Sequence, residues 1–144
     1  MADIHHLINI AAPPDVVHDL VATADGLRKW WAEDVESTDD GESALSLGFF
    51  NRTTIYRLRP LDQQADRVAW HCESGKEWEG TDLIFAMRAQ GAGIVLDFKH
   101  ANWREATPYF TSCNTTWGVL MFRIKSVAEG RNPGPLFQRN SLGY

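Results

Sequence analysis

Hydrophobic positions in the last third of the chain repeat at the spacing of an α-helix. Between Tyr109 and Glu129 they recur three or four residues apart, at Phe110, Cys113, Trp117, Leu120, Ile124 and Val127. This spacing places all six on one stripe of a helix. Thr107 and Pro108 are residue types that begin helices, and Gly130 is typical of a helix end. The pattern therefore predicts one long amphipathic helix over residues 109–129.

The middle of the chain alternates between hydrophobic and polar positions from residue 33 to residue 100. Groups of turn-forming residues interrupt the alternation, with Asp-Asp-Gly at 39–41, Pro-Leu-Asp at 60–62 and Gln-Gly-Ala at 90–92 among them. Strands with one apolar and one polar face are typical of antiparallel sheets. The pattern predicts six such strands: Glu33–Ser37, Glu42–Phe49, Arg52–Arg59, Arg67–Glu73, Gly80–Ala89 and Gly93–His100.

The first segment, Asp3–Ala11, predicts a seventh strand, and two short helices follow it. Pro13 and Pro14 are tolerated at a helix start, where the missing N–H has no partner in any case. The first helix carries an apolar stripe, and the second carries Leu27 and two tryptophans. Adjacent residues on a short helix cannot both face inward, so we expect Trp30 or Trp31 to lie at a pocket mouth or a subunit interface.

Together these elements predict an α+β fold of the helix-grip type, with two short helices after the first strand. A seven-stranded curved antiparallel sheet has one large apolar face, and the long C-terminal helix covers it by lying across the concave side. We expect one helix-grip domain over residues 1–130. Residues 131–144 are then a C-terminal tail, packed over the domain or partly loose. A curved sheet around a single helix does not close completely at both ends, so the fold also predicts a cavity.

The composition fits a core that is large or partly hollow. The chain has 144 residues, 44% of them hydrophobic, and its seven Phe, six Trp and three Tyr are more rings than such a core requires. Trp117, central on the helical stripe, is the first candidate for ligand contact. Trp31 and Tyr109 belong to the aromatic set that could line a pocket. The ligand contacts that we predict are Trp30, Tyr56, Trp70, Trp78, Phe85, Phe98, His100, Phe110, Cys113, Trp117 and Leu120. For any one of them, plain core packing is the alternative.

Few residues indicate catalysis or a cofactor. His100 and Tyr56 are the candidates for moving protons, His100 because the alternation of its strand turns its ring toward the long helix. The alternative for His100 is a hydrogen bond to backbone or to a tryptophan at the start of the helix. His5 and His6 are adjacent in a strand and face opposite ways, and the chain has no cysteine pair with metal-like spacing. We therefore expect neither a metal nor a cofactor.

The charge pattern limits the partners. The net charge is −5, and basic residues cluster no further than Arg57 and Arg59, so nucleic acid is not an expected partner. No apolar stretch reaches the ~18 residues of a membrane span, and the first residues lack an export signal. With Cys72 and Cys113 expected as reduced thiols, we predict a cytoplasmic protein. We expect the acidic residues between 33 and 42 to form a solvated rim. A homodimer is compatible with the sequence.

Several short motifs, taken in order, resemble those of the SRPBCC (START-like) superfamily. They are Ile10-Ala11-Ala12-Pro13-Pro14-Asp15-Val16-Val17, Leu27-Arg28-Lys29-Trp30-Trp31, Trp78-Glu79-Gly80-Thr81, Phe98-Lys99-His100-Ala101-Asn102-Trp103, Cys113-Asn114-Thr115-Thr116-Trp117-Gly118-Val119-Leu120 and Glu129-Gly130-Arg131-Asn132-Pro133. Within the superfamily, the chain is most similar to the polyketide cyclase-like and Hsp90-ATPase-activator-homologue branch. The resemblance covers about residues 4 to 134 and implies the helix-grip fold.

The resemblance leaves three functions open, because the superfamily includes lipid carriers, aromatases and cyclases, hormone receptors, allergens and co-chaperone domains. The leading hypothesis is the binding of an apolar or aromatic small molecule or lipid between the sheet and the long helix. The first alternative is a cofactor-free cyclase- or aromatase-type enzyme that uses His100 or Tyr56. The second is a co-chaperone-like module that binds a protein through the acidic surface and Trp30 or Trp31.

Overall fold

Seven strands of the described residues, 1–38 and 43–139, form one antiparallel sheet in the computed structural model of the chain. They are β1 (Ala2–Ile10), β2 (Asp34–Ser37), β3 (Leu45–Phe49), β4 (Thr54–Gln64), β5 (Arg67–Ser74), β6 (Asp82–Gln90) and β7 (Gly93–Trp103). Their order across the sheet is β1-β7-β6-β5-β4-β3-β2. Helices α1 (Pro14–Ala22) and α2 (Ala24–Trp30) follow β1, and α3 (Pro108–Ala128) follows β7. This architecture confirms the predicted α+β helix-grip fold.

The long helix α3 packs its apolar stripe against the concave face of the sheet. Thr107 caps the first turn, since its Oγ1 accepts a hydrogen bond from the backbone N–H of Phe110 at 3.2 Å, and Pro108 follows as the first helical residue. The most deeply buried side chains of the helix, each 1% exposed or less, are Trp117, Leu120 and Ile124. Full burial of one large apolar side chain stabilises a fold by about 1.5–3 kcal/mol, so this stripe holds α3 on the sheet.

Strand β4 is longer than the pattern predicts, because the expected turn at residues 60–62 is absent. The strand continues to Gln64, with an irregularity in its pairing to β5 between Pro60 and Asp62. Strand β3 pairs with residues 54–58 of β4, so beyond Leu58 the described residues give β4 a neighbour on one side alone. Proline has no backbone N–H, and it is tolerated at such a bulged edge because no neighbouring strand requires a donor there.

The segment after α3 is packed against the domain as far as residue 139. The backbone N–H of Phe137 donates to the carbonyl of Trp31 at 2.9 Å, and the carbonyl of Phe137 accepts from the N–H of Glu33 at 2.9 Å. Leu136 and Phe137 are 6% and 9% exposed. Residues 140–144, like the predicted turn at 39–41 and the first residue of the predicted strand Glu42–Phe49, lie outside the described residues.

Trp30 and Trp31 are both buried, so the expectation that one of them lies at a pocket mouth or an interface is wrong. Trp31 follows the last residue of α2 in a helical backbone conformation, and its N–H donates to the carbonyl of Leu27 at 2.9 Å. The two rings stack with their centroids 5.5 Å apart. The segment around Leu136 covers them, since its N–H donates to the carbonyl of Trp30 at 3.2 Å.

The predicted acidic rim is not solvated at Asp34. This side chain is 3% exposed, its carboxylate accepts a hydrogen bond from Arg52 at 2.8 Å, and it lies 3.4 Å from a guanidinium nitrogen of Arg139. A carboxylate this buried depends on its partners, because removing one of them leaves a charge without compensation. Asp34 therefore ties β2 to the β3–β4 turn and to the C-terminal segment.

None of the helices in the described part of the chain combines the length and the apolar composition needed to cross a membrane. Among the same residues, no three His, Cys, Asp or Glu side chains lie close enough together to hold a metal ion. Cys72 and Cys113 are both free and buried. The space under α3 is therefore the candidate for a functional site.

Candidate functional site

A cavity of about 130 Å³ lies between the sheet and the first half of α3. Its buried walls are formed by Trp31, Phe49, Tyr56, Trp78, Cys113, Trp117, Leu120 and Phe137. Its mouth is formed by half-buried or exposed residues: Phe50, Thr54, Tyr109, Ser112 and Thr116. We call this space the aromatic cavity, because eight of these thirteen lining residues are aromatic and none is charged.

The rings of Trp31, Tyr56, Trp78 and Trp117 form what we call the aromatic wall of the cavity, and Trp78 is at its centre. Its ring stacks on Tyr56 with centroids 4.0 Å apart and 4° between the planes, and it lies 6.0 Å from the ring of Trp117. Trp31 completes the group, at 6.1 Å from Trp78 and 5.1 Å from Trp117. Aromatic pairs at such distances contribute about 0.5–1.5 kcal/mol each beyond their burial. The four rings therefore hold one another in place.

The stack of Tyr56 on Trp78 depends on a glycine in the loop between β5 and β6. Gly75 has a φ of +126°, and a Cβ added there would lie 2.1 Å from an atom of the Tyr56 ring. Any other residue would strain the backbone and push this ring aside. Gly80, with a φ of +87°, gives the loop its second sharp turn. The two glycines thus let the loop bring Trp78 inward.

Three polar side chains of the cavity interact with one another. The hydroxyls of Tyr56 and Tyr109 hydrogen-bond to each other, and the Tyr109 hydroxyl also interacts with the Cys113 thiol. Burial raises the pKa of Tyr109 to about 12 and raises the pKa of Tyr56 as well. Burial also raises the pKa of Cys113, and the neighbouring donors of Trp78 and Tyr109 offset this only in part. All three groups are therefore neutral at pH 7.

The indole N–H of Trp78 has no hydrogen-bond acceptor among the described residues. It lies beside the sulfur of Cys113, near enough to favour the thiolate form of that residue but not in the geometry of a hydrogen bond. Trp78 is 4% exposed. Buried donors without a partner are rare in proteins. This N–H is therefore enclosed by the protein, with the Cys113 sulfur beside it.

His100 lies behind the aromatic wall and holds two of its tryptophans. The indole N–H of Trp117 donates to Nδ1 of His100 at 3.1 Å, so Nδ1 carries no proton. The neutral ring then bears its proton on Nε2, which donates to the hydroxyl of Thr81 at 2.8 Å. That hydroxyl donates in turn to the backbone carbonyl of Trp78 at 2.6 Å. Burial lowers the pKa of His100 to about 3, so the ring is neutral at pH 7.

The C-terminal segment holds one side of the cavity mouth. The β3–β4 turn has three consecutive residues with left-handed φ angles, Phe50 at 53°, Asn51 at 54° and Arg52 at 64°. Each costs on the order of 1–2 kcal/mol, so contacts must hold the turn. The N–H of Asn51 donates to the carbonyl of Arg139 at 2.9 Å, and the rings of Phe50 and Phe137 meet edge to face at 6.0 Å.

The structure brings five of the predicted ligand contacts to the aromatic cavity: Tyr56, Trp78, Cys113, Trp117 and Leu120. The other six lie outside its lining: Trp30, Trp70, Phe85, Phe98, His100 and Phe110. Contact with a ligand stays a prediction for the first five. The other six side chains make their contacts elsewhere in the core.

Those six side chains are packed into the rest of the core. Trp30 and Trp70 donate their indole N–H groups to backbone carbonyls of α1 at 2.8 and 2.9 Å. Phe85 and Phe98 pack on each other with their centroids 4.9 Å apart. Phe110 meets a tryptophan at the end of β7, 5.2 Å away. Alternation along a strand predicts which side chains face the helix, but it does not predict which of them border an empty space.

Eight lining residues were not among the predicted ligand contacts, although two of them, Trp31 and Tyr109, belong to the aromatic set proposed for a pocket. The eight are Trp31, Phe49, Phe50, Thr54, Tyr109, Ser112, Thr116 and Phe137. A signal for three of them is present in the helical pattern. Tyr109, Ser112 and Thr116 follow one another at three- and four-residue spacing, each one position before a residue of the predicted stripe, and a wider stripe would have included them. Such a signal is missing for Phe137, which follows the last periodic element.

The chain matches solved structures, although no family model and no curated protein matches it. The Aha1 dimer from Colwellia psychrerythraea has a TM-score of 0.76 and 28% sequence identity, over 90% of this chain and 98% of that one. CalU16 from Micromonospora echinospora has a TM-score of 0.72 and 15% identity, over 92% of this chain and 68% of that one.

DynU16, a protein of the dynemicin biosynthetic locus, has a TM-score of 0.76 and 11% identity over 95% of this chain. The match covers 51% of DynU16, so this chain spans about half of that protein. Low identity at such TM-scores means that the fold is shared while most of the side chains differ.

Proposed function

We propose that this chain, which has the fold of the SRPBCC (START-like) superfamily and resembles its Aha1-homologue and polyketide cyclase-like branch, binds an apolar or aromatic small molecule in the aromatic cavity. The likeness to Aha1 from Colwellia psychrerythraea confirms the predicted resemblance. The cavity itself carries the proposal, since its walls are aromatic and uncharged and it contains a few polar groups. Concave apolar sites with few polar groups are typical of small-molecule binding.

The state of the polar groups supports binding more than proton transfer. Tyr56 and Tyr109 are neutral at pH 7, and none of the lining residues is Asp, Glu, His or Lys. A cyclase- or aromatase-type reaction in this cavity would have to use the Tyr56 hydroxyl as a donor to a ligand carbonyl. His100, the other predicted candidate, lies outside the lining and is occupied by Trp117 and Thr81.

Binding is tested by native mass spectrometry with a panel of fatty acids, sterols, flavonoids, short aromatic polyketides and one-ring aromatic compounds. We expect one retained ligand per chain and a rise in melting temperature, because a ligand that binds only the folded state stabilises it.

A matched pair of variants on α3 locates the binding. Ser112 and Asn114 are both exposed, but Ser112 lines the cavity mouth and Asn114 does not. We expect Ser112→Trp to reduce retention by tenfold or more and Asn114→Trp to leave it unchanged. Equal effects of the two variants, or a melting temperature that no compound raises, would contradict the proposal.

We also propose that the chain forms a homodimer. The Aha1 protein from Colwellia psychrerythraea, which it resembles over nearly its whole length, is a dimer. Strand β1 is at an edge of the sheet, and Phe122 on α3 is 67% exposed. Phe122 shares a helix stripe with Lys125, whose Nζ donates to the carbonyl of Asn9 in β1 at 2.8 Å. An exposed ring near an edge strand that pairs with no further strand of the described residues is a suitable surface for a second copy.

Sedimentation equilibrium measures this assembly directly. We expect a mass of roughly twice 16.3 kDa, and we expect Phe122→Glu to return it to 16.3 kDa without a change in melting temperature at low concentration. Asn114→Glu, a charge placed elsewhere on the same helix, serves as the control and should leave the dimer intact. A monomer at all accessible concentrations of the unmodified chain would refute the dimer.

A further inference from the structure

We propose that the aromatic cavity selects a neutral compound with one ring, which binds with the ring inside and a short uncharged polar group at the mouth, and that Phe137 excludes a second ring. This inference rests on the proposed function and narrows it in four respects: the size of the ligand, its charge, its orientation and the residue that limits its size. Each respect follows from a different observation.

The size follows from the volume of the cavity, which is about 130 Å³. An apolar cavity of about 150 Å³ in another protein holds one benzene molecule, whereas sites for drug-sized ligands occupy about 300–1,000 Å³. A single ring with a short substituent that reaches the mouth fits the aromatic cavity. A sterol or a multi-ring polyketide does not fit unless the walls move.

The absence of charge follows from the lining and from the charges next to it. None of the described residues that line the cavity is Asp, Glu, His, Lys or Arg. Lys76 lies over the ring of Tyr109, 5.2 Å from its centroid, but the carboxylate of the neighbouring Glu77 opposes its charge. Burial raises the pKa of Tyr109 to about 12 and that of Cys113 as well, and Glu77 adds to both shifts. A carboxylate or an ammonium group inside would therefore lose its hydration without gaining a counter-ion, which is strongly unfavourable.

The orientation follows from where the polar groups of the lining lie. The buried walls are mainly aromatic and aliphatic, whereas four of the five residues at the mouth carry a hydroxyl: Thr54, Tyr109, Ser112 and Thr116. Inside, the hydroxyl of Tyr56 is already bonded to that of Tyr109, and the indole N–H of Trp78 is enclosed. A polar substituent that pointed inward would therefore give up its water for a poor set of partners, which is unfavourable.

The hydroxyls at the mouth are open to such a substituent. The side chains of Thr54 and Ser112 make no hydrogen bond to another of the described residues. Thr116 donates its hydroxyl hydrogen to the carbonyl of Ser112 at 3.2 Å, so its oxygen still presents lone pairs to the mouth. A hydroxyl or amide of the ligand at this place exchanges water for protein hydroxyls or keeps a bridging water. The ring of the ligand is then the part that enters the cavity.

Phe137 sets the upper limit on size. Its ring meets Phe49 edge to face at 5.1 Å and Phe50 at 6.0 Å, so it fills the space into which a second ligand ring would extend. The hydrogen bonds that join this residue to Trp31 and Glu33 use backbone atoms alone. Phe137→Ala therefore keeps those bonds, removes the ring and enlarges the cavity.

The experiment titrates isotope-labelled protein with four probes and follows binding by NMR. Benzyl alcohol has one ring and a neutral hydroxymethyl group, benzoate carries a negative charge, benzylamine carries a positive charge, and 2-naphthalenemethanol has two rings. At pH 7 we expect benzyl alcohol to bind at least tenfold more tightly than either charged probe, because only the neutral probe keeps its polar group without a counter-ion. We expect 2-naphthalenemethanol, although it is the more apolar alcohol, to bind more weakly than benzyl alcohol.

Proton–proton contacts between bound benzyl alcohol and the methyl groups of α3 give the orientation. Leu120 borders the cavity from a position that is 1% exposed, and Thr116 borders its mouth. We expect nuclear Overhauser effects from the ring protons to the Leu120 methyl groups and from the methylene protons to the Thr116 methyl group. The reverse pattern would overturn the inference.

A matched pair of variants in the C-terminal segment tests the size limit. Phe137→Ala should make the two-ring alcohol bind more tightly than benzyl alcohol. Leu136→Ala removes a neighbouring buried side chain that does not line the cavity, and it should keep the order of the unmodified protein. Reversal in both variants would show that the hold on the segment, and not the ring of Phe137, limits the size. If Phe137→Ala does not fold, Phe137→Leu takes its place.

The remaining outcomes separate this inference from the proposed function. Equal affinity for the charged and neutral one-ring probes, or tighter binding of the two-ring alcohol by the unmodified protein, would overturn the inference. The proposed function would still stand if a compound of the broader panel is retained. If neither these probes nor the broader panel binds, both fail.

Discussion

Replacing Trp117 by alanine is expected to lower the free energy of unfolding by about 3–5 kcal/mol, which for a chain of this size corresponds to a fall in melting temperature of roughly 10–15 °C. Trp117 is 1% exposed and contacts Trp31, Trp78 and Phe98 through its ring. Its loss leaves those side chains around a larger void and leaves Nδ1 of His100 without a donor. Urea unfolding followed by far-ultraviolet circular dichroism measures the change.

Two further variants separate the contributions to this loss. Trp117→Phe keeps most of the ring and removes the N–H, so we expect a loss of about 1–2 kcal/mol from the hydrogen bond to His100. Leu61→Ala removes a large apolar side chain that is 47% exposed, and it should change stability by about 0.5 kcal/mol or less. If Trp117→Ala lowers the free energy of unfolding by less than about 1 kcal/mol and abolishes ligand uptake, then Trp117 mainly borders an open space and is not tightly packed.

Acidification is expected to destabilise the fold through His100, because burial keeps this ring unprotonated in the folded chain. The pKa of His100 is about 3 in the folded chain and about 6.5 in an unfolded one. Between these values the unfolded chain binds a proton that the folded chain does not, so stability falls as the pH falls. The loss is about 1.4 kcal/mol per pH unit below 6.5, or ~2 kcal/mol at pH 5.

The comparison with His100→Gln isolates this effect. Glutamine can accept from Trp117 and donate to Thr81, but it does not titrate. We expect the difference in unfolding free energy between the two proteins to shift by ~2 kcal/mol between pH 7.5 and pH 5, as measured by urea unfolding. His5 and His71, paired with Asp97 and Asp82, are present in both proteins and cancel. Parallel pH profiles would contradict the assignment.

An independent measurement on the unmodified chain covers the case in which this variant does not fold. The imidazole nitrogen signals of His100 in a long-range NMR correlation should show the neutral tautomer with its proton on Nε2, unchanged between pH 7 and pH 5. A ring that titrates near pH 6.5 would show that it is not buried behind the aromatic wall.

Most of the fold was predictable because regular elements carry their own periodic signals. The three- and four-residue spacing of α3 and the alternation in the β6–β7 hairpin depend on local geometry, and both gave the right elements with ends within a few residues. Pro60 was misleading for the same reason. Proline breaks strands locally, but whether a strand must end there depends on a neighbour that only the sheet supplies.

The candidate site was predictable only in part, because lining a cavity is a property of several elements at once. Trp117 and Cys113 were placed correctly by the stripe of one helix. His100 was correctly predicted to face the helix, but its partners Trp117 and Thr81 and its position behind the wall follow from the crossing of β7, the β5–β6 loop and α3. Trp30 or Trp31 was expected at a pocket mouth or a subunit interface, but both are buried, because a later segment of the chain covers them.

The amino-acid sequence alone was enough to specify most of the residues that form strands and helices, which face of each is apolar, and the superfamily that this order resembles. These properties depend on interactions between residues close together along the chain. The tertiary structure alone decided the volume of the cavity, the isolation of the Trp78 donor and the use of Phe137 as a wall. Those properties arise where the β5–β6 loop, α3 and the C-terminal segment meet, and such contacts between distant residues leave no periodic signal in the chain.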